Sequence, residues 1–361
     1  MSSEIRIWRF DPNIRIWRFG FFSSTTALFS PSVAKHCSCM TKTTTVSNSR
    51  ALCQSMLPYL SPSDVLRKGL YYIGVDHKRQ AKMSERRKEE FFHKHFGSFP
   101  PIIASIWFDL CSTRNRKARL EKKEMTERGF ICFMLAHYFL WTYPKNVELM
   151  VSQFGFEVCE RYMQGGELWY WPKKIAAMKK EKIVWRSPLN QDDTAQIPIS
   201  VDGVNFAAWE VKHPTLNKDS SHFDHKHNCC GFKYEIGLEI YSSQIAWING
   251  PKKAGKNDKT IFQERNGLKD RLADGPGKMG VADGGYEMGF LCIPNSLDSK
   301  ELKNFKSRAR CRHESLNGRL CNFKILQDKF RHGMKNHKIA FEAVAVIVQY
   351  QMDNGSPLFE V

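Results

Sequence analysis

The sequence has no stretch typical of a membrane-spanning helix or of a disulfide framework. Its longest uncharged apolar run, Gly129 to Trp141, is shorter than the roughly 18 residues that a spanning helix needs, and it contains His137. The eleven cysteines are odd in number and include no CxxC pair, which favours free thiols in a reducing compartment. We therefore expect a soluble protein that is not extracellular.

Signatures of a nucleotide-binding loop and of a structural zinc site are also missing. None of the glycine-rich turns is followed by Gly-Lys-Ser/Thr, as a P-loop requires. The segment from His222 to Cys230 is rich in histidine and cysteine but lacks the paired spacing of structural zinc ligands. Zinc is therefore the weaker interpretation of this segment.

Acidic residues are fewer than basic ones. The 55 lysines and arginines exceed the 37 aspartates and glutamates, which gives a formal net charge of +18 and a pI near 9.4. Such a charge favours a polyanionic partner, nucleic acid before an anionic membrane surface. With 361 residues, 42% of them hydrophobic, the chain has room for one large or two modest domains.

The first part of the chain predicts a tail followed by an all-α helical region. Residues 1–60 repeat the hexapeptide Ile-Arg-Ile-Trp-Arg-Phe and then become rich in serine and threonine, which indicates an unfolded tail or, as the alternative, an organelle transit peptide. Residues 61–186 predict helices, among them one that starts at the N-cap Ser84 and stops at Gly97.

Part of this helical region is a candidate for contact with DNA. Helical patterns at Asn146–Gln153 and Glu157–Gln164 flank a short glycine turn, which fits a helix-turn-helix or the packing of an ordinary helical core. Lys173 and Lys174 lie in a basic stretch with interspersed tryptophans. That stretch suits a nucleic-acid backbone, or a linker packed on the next domain.

Residues 195–361 predict a mixed α/β domain. Three strands, Ile197–Trp209, Lys233–Tyr241 and Ile245–Ile248, are followed by a helix at Asp258–Leu268, a strand at Lys278–Asp283, a long helical pattern from Asp298 and a buried helix at Lys338–Gln349. This order is that of an RNase H-like core, a mixed sheet flanked by helices. The ends of the first and fourth strands lie side by side in that arrangement.

Three carboxylates would meet in such a core. Asp202 stands inside a β-branched run, where burial of its charge is unfavourable unless a metal or another group compensates it, the alternative being an Asp-Gly turn. Asp283 ends the fourth strand, and Glu314 falls on the following helix. Two metal ions held by these oxygens would activate water and stabilise a phosphodiester transition state, and hard oxygen ligands suit Mg²⁺ or Mn²⁺.

Four short motifs occur in this domain, in a defined order. They are Val-Asp-Gly at 201–203, Trp-Ile-Asn-Gly-Pro before Gly255 and Asp258, Ala-Asp-Gly-Gly-Tyr at 282–286, and Arg-x-Arg-His-Glu-x-x-Asn-Gly-Arg at 310–319. Together they resemble the catalytic domain of PIF/Harbinger-type DDE transposases and their domesticated nuclease relatives. The resemblance covers about residues 195 to 361.

The resemblance implies a metal-dependent DNA endonuclease or transposase of RNase H-like fold. Asp202, Asp283 and Glu314 match its three catalytic, metal-binding acids, and Asp258 matches a further acid that is either a helix cap or another ligand. It also implies double-stranded transposon ends as substrate, two Mg²⁺ or Mn²⁺ ions, a Myb-like partner protein that aids DNA binding, a possible oligomer, and action in the nucleus. Cytoplasm, or an organelle if the tail is a transit peptide, is the alternative.

Basic residues near the glutamate are the predicted nucleic-acid contacts, together with Lys173 and Lys174. They are Arg308, Arg310, Arg312 and Arg319. Arg310, one helical turn before Glu314, is expected to hold a phosphate or orient the glutamate, or to be an ordinary surface arginine.

Two positions depart from the family pattern. Gly285 replaces a basic residue, and Cys321 replaces a lysine. A catalytically degenerate, transposon-derived protein that binds DNA or another protein is therefore the alternative function.

Overall fold

The computed structural model describes residue 57 and residues 59–154, 167–185, 197–209, 220–273, 280–286 and 289–361. Nearly all of the predicted tail, the second helix of the predicted helix-turn-helix and the predicted domain boundary near 187–194 lie outside these residues. Within them, no helix is long and apolar enough to cross a membrane.

The first half of the described chain is helical, as predicted. The helices are α1 (Pro62–Tyr72), α2 (His77–Ala81), α3 (Glu85–Phe96), α4 (Pro100–Ser112), α5 (Glu127–Thr142), α6 (Val147–Phe154), a 3₁₀ turn (Glu167–Trp169), α7 (Tyr170–Ala177) and α8 (Lys179–Lys182). The predicted ends of α3 are confirmed, because the Ser84 side chain accepts a hydrogen bond from the N–H of Arg87 and Gly97 closes the helix at φ 69°.

The second half contains a mixed sheet of six strands. They are β1 (Ile199–Ala207), β2 (Phe223–Asp224), β3 (Cys229–Glu239), β4 (Ile245–Lys253), β5 (Gly280–Val281) and β6 (Leu291–Cys292). β3 pairs antiparallel with β1, β2 and β4, whereas β5 lies parallel between β1 and β6. The α/β class with helices beside a mixed sheet is thus confirmed.

Five helices lie in this half: α9 (Asp258–Phe262), α10 (Leu268–Ala273), α11 (Lys300–Cys321), α12 (Lys324–Gln327) and α13 (Met334–Asp353). The prediction of one helix over Asp258–Leu268 is wrong. The chain turns at Asn266, which adopts φ 58°, and the N–H of Gly267 donates to the carbonyl of Glu264. The long pattern that starts at Asp298 likewise breaks between α11 and α12.

The helical region and the sheet share one hydrophobic core, with α13 in contact with both. Phe341 of α13 stacks on Tyr234 of β3 with ring centroids 3.7 Å apart, and Gln349 accepts a hydrogen bond from the N–H of Ile245 at 2.8 Å. On the helical side, Lys182 lies 4.1 Å from the ring centroid of Tyr350. The burial predicted for this last helix is confirmed.

Candidate active site

The pairing of β1 with β5 brings Asp202 and Asp283 to the same end of the sheet. Ser200 of β1 is in register with Val281 of β5, and the two strands run parallel. Asp202 and Asp283 each follow these paired residues by two positions. Side chains two apart on a strand share a face, so the short β5 positions Asp283 beside Asp202.

α11 covers this face of the sheet and carries Glu314. His313 is 2% exposed, and a hydrogen bond of 2.9 Å joins its Nδ1 to Oγ of Ser200. One turn further along, Nδ2 of Asn317 donates to Oδ2 of Asp202 at 2.9 Å. These two bonds set the rotation of the helix, and Glu314 therefore faces the edge of the same site.

The three predicted acids line one cavity of about 310 Å³. Its remaining wall includes Lys226 and His227 from the turn between β2 and β3, and Arg310 from α11. Carboxylates from three separate stretches thus meet at one place, with basic groups at its rim. The cavity therefore combines three acidic side chains with exposed basic ones.

The surroundings of Asp202 in this cavity change the pKa of its carboxyl group. Burial raises its pKa to about 6, and the charges of Asp283 and Asp258 add to the rise, while hydrogen bonds from the Gly203 N–H and from Asn317 oppose it. The influence of Asp283 reflects the proximity of the two carboxylates. A nearby cation would favour the ionised form of Asp202.

Asp258 is the first residue of α9 but does not cap it. The cap is Asn257, whose side chain accepts a hydrogen bond from the N–H of Lys259 at 3.0 Å. The carboxylate of Asp258 instead pairs with Lys233 at 3.1 Å and lies against Gly203, where a Cβ would be 2.4 Å from its Oδ1. The interpretation of Asp258 as a helix cap is therefore wrong, and glycine at 203 is required by this close approach.

Behind the cavity lies a buried polar group that was not predicted from the sequence. Glu235 is paired with Gly203 across β1 and β3 and is 1% exposed. Its Oε2 accepts a hydrogen bond from Trp247 at 3.0 Å, and burial raises its pKa to about 7. Tyr286 is equally buried, and burial followed by the charge of Glu235 raises its pKa well above the usual value. The alternation of side chains along β3 is the sequence signal from which the burial of Glu235 could have been predicted.

The turn that carries Lys226 and His227 is held in place by Asp224. This buried carboxylate accepts hydrogen bonds from the side chains of Asn205 and His227, and from the N–H of Lys226 at 2.9 Å. Burial alone would raise the pKa of Asp224, but these hydrogen bonds outweigh it and lower the pKa. Asp224 thereby ties the turn to β1, two residues beyond Gly203.

The predicted arginine contacts divide into two groups. Arg310 is exposed and lines the acid cavity. Arg312 is 3% exposed and donates to the carbonyls of Phe359, Glu239 and Ser242. The prediction of Arg312 as a nucleic-acid contact is therefore wrong, because its guanidinium serves the interior.

Four further predicted basic contacts have different surroundings. Arg308 donates to the carbonyl of Glu360 at 2.6 Å, and Arg319 donates to the carbonyls of Ser356 and Pro357. These two arginines therefore hold the segment after α13. On α7, Lys174 donates to the carbonyl of Arg119 at 2.7 Å, whereas Lys173 is exposed.

The oxygen atoms that line the acid cavity are chemically suited to a hard divalent cation. Their side chains are not grouped closely enough to form a complete metal site. Carboxylate oxygens of Asp202, Asp283 and Glu314 are the ligands that Mg²⁺ and Mn²⁺ prefer. Oδ1 of Asn317, beside Asp202, is buried without a hydrogen-bond partner and adds an unused oxygen. In the part of the chain that the structure describes, no three His, Cys, Asp or Glu side chains are grouped closely enough to hold one ion.

Gly285 and Cys321, the two positions that depart from the pattern of the resembling family, have different surroundings. The N–H of Gly285 donates to Oδ1 of Asp283 at 3.0 Å, so the backbone orients the second acid. Cys321 is partly buried at the end of α11, and burial raises the pKa of its thiol. Neither position removes a carboxylate from the cavity.

Three comparisons with known proteins identify no relative. No protein-family model, no curated protein and no solved structure matches this chain.

Proposed function

We propose that this protein is a divalent-metal-dependent DNA endonuclease or transposase of the PIF/Harbinger type, which cuts and joins DNA strands. One observation carries the proposal: Asp202, Asp283 and Glu314, far apart in the sequence, line a single cavity in a strongly basic chain. The four motifs described above supply the family resemblance.

The arrangement of the sheet supports an RNase H-like core for this function. β1 is flanked by the antiparallel β3 on one side and by the parallel β5 on the other. The first strand and the strand that precedes Asp283 are therefore neighbours, as the active site of such a core requires. α11 follows them and carries the third acid over the strand ends.

Asp202, Asp283 and Glu314 would hold the two Mg²⁺ or Mn²⁺ ions, with Asp258 as a further acid beside Asp202. The bound ions would supply a nucleophilic water and stabilise charge on the phosphodiester. Asn317 positions Asp202 through its amide, and the N–H of Gly285 positions Asp283. Arg310, Lys226 and His227 stand at the mouth, where they are suited to bind the phosphate backbone.

We further propose that the substrate is double-stranded DNA at transposon ends, that a Myb-like protein assists binding, and that the protein acts in the nucleus. The net charge of +18 supports a polyanionic substrate. The partner and the location follow from the family resemblance.

Cleavage of labelled DNA in Mg²⁺ or Mn²⁺ tests the proposal. We expect wild-type protein to nick or cut DNA that carries its terminal repeats, and Asp202→Asn to reduce the rate by about 10³-fold or more, which corresponds to about 4 kcal/mol. Asp328→Asn is a matched control, because Asp328 is exposed after α12. Equal cleavage by wild type and Asp202→Asn would refute the enzymatic function.

A catalytically degenerate DNA-binding protein is the second candidate. The observation in its favour is that the described carboxylates form no group ready to hold one ion. Calorimetric titration with Mn²⁺ separates the two candidates. The enzyme should bind Mn²⁺ in a manner that depends on Asp202, whereas the degenerate protein should bind DNA with strong salt dependence and bind no Mn²⁺.

A further inference from the structure

A second, larger cavity lies on the other side of the turn between β2 and β3. Its volume is about 580 Å³, and its basic wall is the end of β4 and the turn that follows, with Lys252, Lys253 and Lys256. Glu264 is the one acid among the described residues that line it. The cavity therefore carries an excess of positive charge.

The lysines of this wall are ordered by their surroundings. Glu264 pairs with both Lys252 and Lys256, at 2.5 Å in the second case, and hydrogen bonds from these two ammonium groups outweigh the effect of burial and lower the pKa of Glu264. One carboxylate thus holds two ammonium groups, and one positive charge of that trio is uncompensated. Lys253 also lines the cavity.

The same cavity also has apolar and aromatic lining residues. Phe223, Pro251 and Met334 line it, and the ring of His225 packs edge-on against Phe223 with centroids 5.1 Å apart. Basic and aromatic side chains that line one cavity are the combination that binds single-stranded nucleic acid, because cations follow the phosphates while bases stack on rings.

The two cavities are adjacent across one short turn. His225 lines the lysine cavity, and its neighbours Lys226 and His227 line the acid cavity. Asn228, at φ 52°, closes the turn, and Asp224 anchors it. A DNA strand that leaves the acid cavity over this turn meets the lysine wall next.

We propose that the cavity bounded by Lys252, Lys253, Lys256 and Phe223 binds a single-stranded segment of DNA next to the cleavage site. The lysines contact its phosphates, and one base stacks on Phe223. This proposal rests on the proposed nuclease function only for the identity of the ligand, since the binding itself requires no metal and no cleavage.

Fluorescence anisotropy with a labelled 20-nucleotide DNA strand in EDTA tests the binding site. We expect Lys252→Gln/Lys253→Gln/Lys256→Gln to weaken binding by about 10-fold or more, and to reduce the slope of log K against log salt by about 0.7 for each phosphate that the variant no longer neutralises. The matched control is Lys78→Gln/Lys82→Gln/Lys94→Gln, which removes the same charge from exposed positions of α2, its C-cap and α3. Equal weakening by both triple variants would overturn the proposal.

Phe223 supplies a test that is independent of charge. Phe223→Ala should weaken binding of the single strand by about 5- to 150-fold, since stacking of a base on an aromatic ring contributes about 1–3 kcal/mol. Phe223→Leu keeps an apolar side chain and should show most of this loss. A 20-base-pair duplex should be much less sensitive to Phe223→Ala. Equal sensitivity of duplex and single strand, or none in either, would contradict the proposal.

Two further variants separate this inference from the nuclease function and from misfolding. In an Asp202→Asn background the lysine and phenylalanine effects should persist, so an inactive acid cavity leaves the prediction intact. Lys252→Gln/Lys256→Gln/Glu264→Gln removes the ion pairs together and leaves no unpaired carboxylate. It should fold and still bind the single strand more weakly than wild type, and unchanged affinity would count against the lysine wall.

Discussion

The acid cavity and the lysine cavity lie on either side of the same turn and are built in opposite ways. The acid cavity collects Asp202, Asp283 and Glu314 from two strands and a helix. The lysine cavity takes its charge from one short stretch, residues 252–256. A site assembled from distant segments depends on the whole fold, whereas a charged patch on one turn depends mainly on that turn. We therefore expect the two cavities to separate chemistry from binding.

There is an electrostatic reason to expect chemistry in the acid cavity and DNA binding in the lysine cavity. Carboxylates close together repel one another and the DNA phosphates, and the raised pKa of Asp202 reflects both its burial and this repulsion. Lysines outside the acid cavity would attract the phosphates of a DNA substrate over a Debye length of about 8 Å at physiological salt. Within that distance, the positive charge of the lysines would offset the repulsion between the carboxylates and a phosphate.

The largest predicted effect concerns Glu314, the third acid, and tests the contrast between the acid cavity and the lysine cavity most directly. We expect Glu314→Gln to reduce cleavage in Mn²⁺ by about 10³-fold, because a neutral amide is a poor ligand for a hard cation, and to leave DNA affinity in EDTA unchanged. Glu301→Gln, on the first turn of the same helix, is the control and should keep full activity. A variant at Glu314 that lost binding and cleavage equally would show that the acid cavity mainly binds DNA.

A comparison of variants at Arg310 and Arg312 of α11 tests which residues belong to the acid cavity and which to the interior. Arg312→Ala should lower the free energy of unfolding by about 2–4 kcal/mol, because it leaves buried carbonyls of Glu239 and Ser242 without donors. Arg310→Ala, at an exposed position, should change it by less than about 0.5 kcal/mol while weakening DNA binding. Urea unfolding and anisotropy measure the two effects. Similar stability losses in both variants would contradict the assignment of Arg310 to the cavity mouth.

Asn317 tests how far the acid cavity depends on supporting hydrogen bonds. Its Nδ2 donates to Asp202 at 2.9 Å, so Asn317→Ala should reduce Mn²⁺ affinity or cleavage by about 10- to 100-fold. The exposed Ser315→Ala on the same helix is the control. Single-strand binding in the lysine cavity should not change in either variant, and a parallel loss there would indicate that α11 had shifted.

The smallest predicted effect is a pH dependence of the metal-free protein. Since the pKa of Asp202 rises from 3.8 to about 6 on folding, the folded state binds its proton more tightly than the unfolded state. Stability in EDTA should therefore fall as the pH rises from about 4 to about 6, and stay lower above it. Allowing for partial exposure, we expect a loss of about 1 to 2 kcal/mol that Asp202→Asn lacks.

Urea unfolding of wild type and Asp202→Asn between pH 4 and pH 8 measures this difference. Mn²⁺ at pH 7.5 should restore stability to wild type only, because a bound cation favours the ionised carboxylate. A wild-type protein that became more stable relative to the variant as pH rose would have the opposite sign and would exclude the buried, repelled state of Asp202.

Much of the fold was predictable because its signals are local. The Ser84 cap and the Gly97 stop of α3 lie next to the helix in the sequence, and both were predicted. The split of Asp258–Leu268 into two helices was not predictable from periodicity, because it depends on Asn266 adopting a left-handed conformation. The lysine cluster at 252–256 is also local, but its place in one cavity with Phe223 was not predicted, because the two segments meet only in the folded chain.

The fate of single residues in the candidate site was harder to predict. Arg310 and Arg312 are two positions apart on one helix, and their side chains point about 200° apart around its axis. One reaches the cavity and the other the interior. Asp258 fits a helix cap by position, but Asn257 occupies that role and frees Asp258 to pair with Lys233. Such choices depend on which partners lie opposite, and partners are set by tertiary packing.

By itself, then, the sequence determined the classes of its segments, the basic character of the chain and the three acids worth testing, because residue type, spacing and charge are carried by the polymer. Only the tertiary structure decided that these acids line one cavity, that Gly203 admits Asp258 at close range, and that Phe223 lines one cavity with Lys252, Lys253 and Lys256. Distances between residues remote in sequence are set when strands pair and helices pack. They depend on the whole fold forming together and cannot be read from neighbouring residues.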